Sequence, residues 1–185
     1  MLTQNTAWTN VEKAIVNLQQ HKALSAEAIL DLADEKLATL IRPSGYFNVK
    51  AKRLKAMCLW LLQTGGIEKL EKIETRTLRE MLLSVHGIGP ETADDIMLYA
   101  FKRPVFVIDA YTRRLFSRTG SINGDEEYEE LRKQFEVALD YQVSDMNELH
   151  ALIVIHAKQF CRKKPACGEC PISSSCDYCN NPEVK

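Results

Sequence analysis

No stretch of this 185-residue chain approaches the roughly 20 consecutive apolar residues that a membrane-spanning helix needs. The opening residues, MLTQNTAWTN, lack the basic stretch and apolar core of a secretory signal. A cytoplasmic location with no membrane partner is therefore expected. Net charge is almost absent: 24 Lys and Arg against 25 Asp and Glu leave −1, and the isoelectric point is near 6.4. That total does not advertise a nucleic-acid-binding domain, which is often strongly basic. Cysteine is almost missing ahead of residue 160, where Cys58 stands alone in an apolar helical pattern as a small buried hydrophobe. No convincing strand pair, internal repeat or long low-complexity segment is present.

What remains is a helical chain with unevenly placed charge. Apolar periodicity predicts helices over 11–20, 26–32, 34–41, 50–63, 75–85, from Pro90 to about Phe101, and over 110–119, 126–139 and 147–161. Ser25 and Asp109 sit where N-caps belong, and residues 104–108 read as a short extended link. Basic residues gather at Lys50, Lys52, Arg53 and Lys55, at Arg113, Arg114 and Arg118, and at Lys158 and Arg162 to Lys164, while acid collects in residues 124–130. Any one cluster can be a solvated helix face. Separate basic and acidic faces also let a nearly neutral protein bind DNA with one of them.

Between two amphipathic helices lies His86-Gly-Ile-Gly89, then Pro90. Paired glycines permit a tight turn and close approach of a partner. The turn opens a helix N-terminus, whose free N–H groups attract anions, and Ile88 can point back to lock the helices together. A simple tight turn is the plain alternative. The hairpin reading is a phosphate grip that ignores base identity.

The run VHGIGPETADDIMLYAFKRPVFVIDAYTRRL resembles the signature of the endonuclease III and adenine glycosylase superfamily: a helix-hairpin-helix, a Gly/Pro-rich loop, then a catalytic aspartate. The resemblance extends over essentially the whole chain. It implies an all-α fold of two helical lobes with a DNA groove between them, spanning about residues 1–103 and 104–185. It also implies that Asp109 is catalytic rather than only a cap. A carboxylate beside the sugar can stabilise the positive charge that builds as an N-glycosidic bond breaks, and can orient or deprotonate water. Bifunctional members carry a lysine at the place of Glu91, where it attacks the sugar and cleaves the strand through a Schiff base. A carboxylate cannot form an imine, so a monofunctional enzyme is expected. Glu91 can equally be a first-turn acid favoured by the helix dipole.

Two further segments carry the resemblance. Leu2-Thr-Gln-Asn-Thr6 matches the segment lying beside the flipped nucleotide, which implies that Gln4 fills the gap left in the duplex. Arg42-Pro-Ser-Gly-Tyr-Phe47 and the residues to Leu54 match a second DNA-contacting loop. By that match Tyr46 wedges between bases, and Lys50 and Lys52 serve phosphates. The alternatives are a frayed terminus for Gln4 and a core aromatic for Tyr46. The R-P-S-G-Y-F form lies nearer the subgroup that removes alkylated purines. By the same resemblance Met1 falls inside the first barrel helix, with the start truncated or the lobe reduced.

Five cysteines follow residue 160, four of them spaced Cys161-x5-Cys167-x2-Cys170-x5-Cys176. In a cytosolic protein such a group points to a metal rather than to disulfides. The spacing alone suits tetrahedral zinc as well as a cubane cluster. Its place in this family implies 4Fe–4S, although relatives have one residue more in the first gap. Cys179 is a fifth thiol that could replace Cys176. The four histidines, His21, His86, His150 and His156, are not spaced as a site of their own. His86 lies in the hairpin within reach of phosphate, and His156 reads as a packing residue.

The expected protein is thus a monomeric base-excision glycosylase acting on double-stranded DNA with a damaged or mismatched base, associated with the nucleoid through that DNA. Its rivals are a bifunctional glycosylase/lyase and a non-catalytic DNA-binding scaffold.

Overall fold

A computed structural model describes residues 1–181. It is all-helical, with no β-strand among the described residues. In order, the α-helices are α1 (Trp8–Gln20), α2 (Ala26–Asp31), α3 (Asp34–Leu40), α4 (Phe47–Gln63), α5 (Ile67–Leu70), α6 (Thr75–Leu83), α7 (Pro90–Asp95), α8 (Ala110–Arg118), α9 (Tyr128–Ala138), α10 (Val143–Gln159) and α11 (Asp177–Asn180). The short helix α5 was not expected, because four residues are too few to show a period.

The chain divides into two compact units, Met1–Ala93 and Asp94–Lys185. The division falls inside α7, ahead of the 103/104 boundary read from sequence. Its cause is visible in the packing: Leu98 belongs to the second unit's core, with Phe106, Leu115, Leu131, Phe135 and Ile153. The first unit's core joins Ala14 and Leu18 of α1, Ile29 of α2, Leu37 and Ala38 of α3, and Ala51 and Cys58 of α4.

The caps form as the sequence suggests. Ser25 Oγ accepts from the Ala28 amide at 3.1 Å, supplying one of the donors a helix start leaves unpaired. The start of the chain differs from expectation: residues 2–5 are turns rather than helix. Asn5 adopts φ +51°, which no right-handed helix accommodates, and Lys50 Nζ takes the Leu2 carbonyl at 2.9 Å. The continuation of α7 also differs. Residues Ile96–Ala100 form a π turn, closed by the Phe101 amide on the Ile96 carbonyl at 3.1 Å. Single π turns inside helices are frequent at functional sites.

The link 104–108 is extended and unusually well covered, with Val105, Phe106, Val107 and Ile108 all buried. Such a segment has no ladder of its own, so its amides need partners. Glu136 of α9, itself buried, accepts the Phe106 amide at 3.0 Å and the Arg132 guanidinium at 2.5 Å. Phe106 stacks on Phe135 at 4.7 Å. These contacts deliver the chain to Asp109 in one fixed direction.

Candidate active site and cysteine cavity

In the second unit, Asp109 caps α8. Its Oδ1 accepts from the Thr112 amide at 2.7 Å and from the Thr112 hydroxyl at 2.9 Å. Both donors are spent on one oxygen. The other, Oδ2, lies 3.6 Å from His150 Nε2 of α10. Burial works to raise the Asp109 carboxyl, but the nearby His150 imidazole and the hydrogen bonds from Thr112 outweigh it and hold the group below the usual carboxylate value. The site therefore presents an ionised carboxylate with one oxygen uncommitted to the cap.

Asp95, at the end of α7, shows the opposite behaviour. Burial pushes its carboxyl from 3.8 to about 6, with His150 partly countering and the Asp109 and Asp94 carboxylates adding to the rise. A carboxyl raised in this way stabilises the fold only while protonated. Its contribution is complete below pH 3.8 and is lost as pH climbs to about 6. Asp95→Asn should therefore stabilise the protein by about 3 kcal/mol above that window and by almost nothing below it. Urea unfolding of both proteins on either side of the window measures this directly.

In the first unit, one cleft is lined by Gln4, Asn5, Arg53, Gly87, Ile88, Gly89, Pro90, Glu91 and Thr92. Gln4 is pinned: its amide donates to Thr92 Oγ1 at 2.8 Å and its Oε1 accepts from Arg53 at 3.4 Å. Ile88 is buried, as a residue locking the hairpin should be. Gly87 has φ +88°, and a side chain there would strike Arg53 Cγ at 2.3 Å, so the turn requires glycine on both counts. His86 and Gly89 are exposed. Arg53 is the residue of this cleft that the motif did not single out. It was legible only as one member of a basic cluster.

Tyr46 is 72% exposed and occupies the left-handed region at φ 48°, so it is no core aromatic. A bulky residue held there is strained, and the strain presents the ring to solvent at the start of α4. Lys52 is exposed. Lys50 is not where the phosphate reading put it. It is only 3% exposed, and its ammonium donates to the carbonyls of Leu2 and Ser44, the latter at 2.7 Å. Burial depresses its basicity and fixes it as an internal tie between the first residues and the loop before α4.

At the other end of α8 lies the cysteine loop. Cys161, Cys167, Cys170, Cys176 and Cys179 line one cavity with Arg118, His156 and Tyr178. Arg118 donates to Cys161 Sγ at 3.3 Å and to the carbonyls of Arg162 and Lys163. Its guanidinium lies over the Tyr178 ring at 4.8 Å, and Arg114 donates to the Cys161 carbonyl at 2.7 Å. His156, expected only to pack, also reaches Cys170 Sγ at 3.6 Å. Cys179 lines the same cavity, which therefore gathers five thiols rather than four. Among the described residues no three His, Cys, Asp or Glu side chains meet around one point as a single ion needs. A cubane instead takes one thiolate at each of four irons. A thiol-lined cavity with a guanidinium on one sulfur fits such an anionic cluster.

Comparison with known proteins agrees with this geometry. Residues 1–140 match the model of the HhH-GPD superfamily base excision DNA repair protein. Residues 162–176 match the iron–sulfur binding domain of endonuclease III, and the cofactor is accordingly a 4Fe–4S cluster. A Methanocaldococcus jannaschii protein described as a candidate DNA repair glycosylase is 48% identical over 179 residues, which are 95% of this chain and 81% of that one. The Helicobacter pylori 3-methyladenine DNA glycosylase, solved with 1,N6-ethenoadenine, is 34% identical, with a TM-score of 0.66 over 82% of this chain and 70% of that one. An endonuclease III–DNA complex shares the fold, with a TM-score of 0.81 at 21% identity over 100% of this chain and 82% of that one.

Proposed function

This chain belongs to the HhH-GPD superfamily of base-excision DNA repair proteins, and within it we propose a monofunctional glycosylase that hydrolyses the N-glycosidic bond of an alkylated purine in double-stranded DNA. The observation that carries the reading is Asp109: a half-buried, ionised carboxylate with Oδ1 fixed by Thr112 and Oδ2 uncommitted to the cap.

The target nucleotide must first leave the stack. Tyr46, exposed at the start of α4, is suited to wedge the duplex, and Gln4 to enter the gap. The hairpin His86 to Gly89 and Lys52 serve the phosphates. With C1′ beside Asp109, the developing positive charge on the sugar meets a fixed negative one. Water oriented on Oδ2 forms the new C1′–O bond as the C1′–N bond breaks. The bonding pair leaves with the base, which departs neutral because alkylation had already made it cationic; the proton lost by the water passes by way of Oδ2 to solvent, and an abasic site remains. Cys161, Cys167, Cys170 and Cys176 hold the cluster, with Cys179 as a spare thiol. The bound cluster supplies structural bracing of the basic residues 162–164 rather than redox chemistry on the base.

Two observations support the finer points. Glu91 stands where a Schiff-base lysine would be needed, and likeness to a 3-methyladenine glycosylase at 34% identity favours an alkylated purine. The test is single-turnover incubation with duplexes carrying 3-methyladenine, hypoxanthine, uracil or thymine opposite guanine, or oxidised pyrimidines, each split with and without hot alkali. Strand breaks only after alkali, and no borohydride-trapped adduct, are expected. Breaks without alkali, together with a trapped adduct, would instead establish a bifunctional lyase.

A further inference from the structure

Against Asp109 the second unit assembles side chains that the hydrolytic reading leaves unused. His150 of α10 is 6% exposed, and the edge of one ring meets the face of the other where it abuts Phe106, 6.1 Å between centroids at 89°. Its Nδ1 lies 2.5 Å from the Tyr99 hydroxyl, which the π turn brings up from the other side. Its Nε2 is buried, makes no hydrogen bond within normal length, and has Asp109 Oδ2 before it at 3.6 Å.

The tautomer follows from the carboxylate. An ionised Asp109 oxygen can only accept, so the ring nitrogen facing it carries the proton, and Nδ1 is left to accept from the Tyr99 hydroxyl. The ring proton then resides on Nε2 and faces the aspartate. A buried N–H without an acceptor is costly. A shift of a few tenths of an ångström, of the kind that ligand binding produces in active sites, turns this approach into a hydrogen bond.

We propose that His150, fixed by the Tyr99 hydroxyl, is the positioning residue for Asp109: its Nε2–H orients Oδ2 so that the free lone pair of that oxygen addresses water and C1′. The assignment rests on Asp109 being the catalytic carboxylate. It extends that reading to a relay running from Tyr99 through His150 to Asp109, analogous in logic to a carboxylate–histidine pair in which the carboxylate sets the tautomer. The ionisable groups that bear on His150 are Asp109 at the head of α8, Asp95 at the end of α7 and Tyr99 in the π turn.

The coupling is measurable in the intact holoprotein without substrate. With carboxyl-13C aspartate, the Asp109 resonance is titrated in the wild type and in His150→Ala, His150→Gln and Tyr99→Phe. Removing a donor to the charged form raises a carboxyl's titration midpoint. The midpoint is expected to rise in His150→Ala, to fall back in His150→Gln, whose amide restores a donor, and to rise slightly in Tyr99→Phe. An unchanged midpoint in His150→Ala overturns the proposal. Should that variant not fold, an unchanged midpoint in Tyr99→Phe overturns it.

The kinetic readout is single-turnover base release on whichever duplex of the panel is processed. A fall on the order of 10- to 100-fold in His150→Ala, an acid limb displaced to higher pH and DNA affinity kept within about twofold are expected, with partial rescue by Gln. Equal loss of affinity and rate, with no rescue, would reduce His150 to a packing residue. Full activity of Asp109→Asn would remove the catalytic reading itself while leaving the measured His150–Asp109 coupling intact, so the two failures are distinguishable.

Discussion

Asp109→Asn is expected to lower single-turnover base release on the order of 10³-fold, the scale lost when a fixed charge facing a developing one is removed. Binding of the same duplex, followed by fluorescence anisotropy, should be unchanged. The choice of asparagine matters because Asp109 does two things at once. It caps α8 through Oδ1, and asparagine is as good a cap as aspartate. The amide thus keeps the helix start and removes only the charge. Asp109→Ala would also forfeit the cap, costing about 1 kcal/mol, and would confuse stability with chemistry. Retained base release in the asparagine variant would point to a different catalytic group. Lost release with lost binding would point to a damaged fold.

Removing a cluster ligand should have the larger effect on stability. Cys170→Ser is expected to yield a protein with little iron and little visible absorbance. Its DNA affinity should be weaker, because the loop's own fold presents Arg162 and Lys163 to Arg118 of α8, which holds their carbonyls. Ligand binding to the folded state alone is folding free energy. A tie of about 4 kcal/mol in a chain of this size corresponds to a fall in Tm of roughly 8–16 °C. Cys58→Ala is the control, since Cys58 lies in the first unit's core and should leave iron content untouched. Iron assay and thermal melting of the two variants side by side check the prediction. Full iron in Cys170→Ser would exclude Cys170 from the ligand set and bring in Cys179, which lines the same cavity.

Much of this was legible because the relevant signals are local. Ser25, Asp109 and the glycine hairpin declare themselves within four or five residues, where cap and turn chemistry operate. The cysteine loop is likewise contiguous. The relay at the carboxylate was not legible. Tyr99 and His150 are 51 positions apart, and the π turn that aims Tyr99 leaves no period distinguishable from the helix around it. Histidine spacing along the chain carried no information about a contact made across two helices. Nothing in the sequence marks out Glu136 among the residues of its helix, yet it is the acceptor that ties down the link before Asp109.

Lys50 shows the same limit from the other side. In sequence it is the first member of a basic cluster beside a DNA-contacting loop, and charge there implies phosphate. In the fold its stem passes through the first unit's interior and its ammonium is consumed by two main-chain carbonyls. Composition gives the charge of a residue but not the direction in which its side chain leaves the helix. Lys52, two positions along and therefore on another face, keeps the exposure that Lys50 lacks.

The short helix α8 has one more consequence. Helices ordinarily open from their ends, and hydrogen exchange reports that fraying first. Here one end is closed by Asp109 on Thr112 and the other by Arg114 and Arg118 on the Cys161 segment. Neither end can fray without breaking the carboxylate's own contacts or releasing the cysteine loop. Helix, acid and loop therefore form a single cooperative opening unit. Oxidative loss of iron at one end would be felt at the other as a loosening of Asp109. Integrity of the metal site and the placement of the Asp109 carboxylate are then one property of nine consecutive residues.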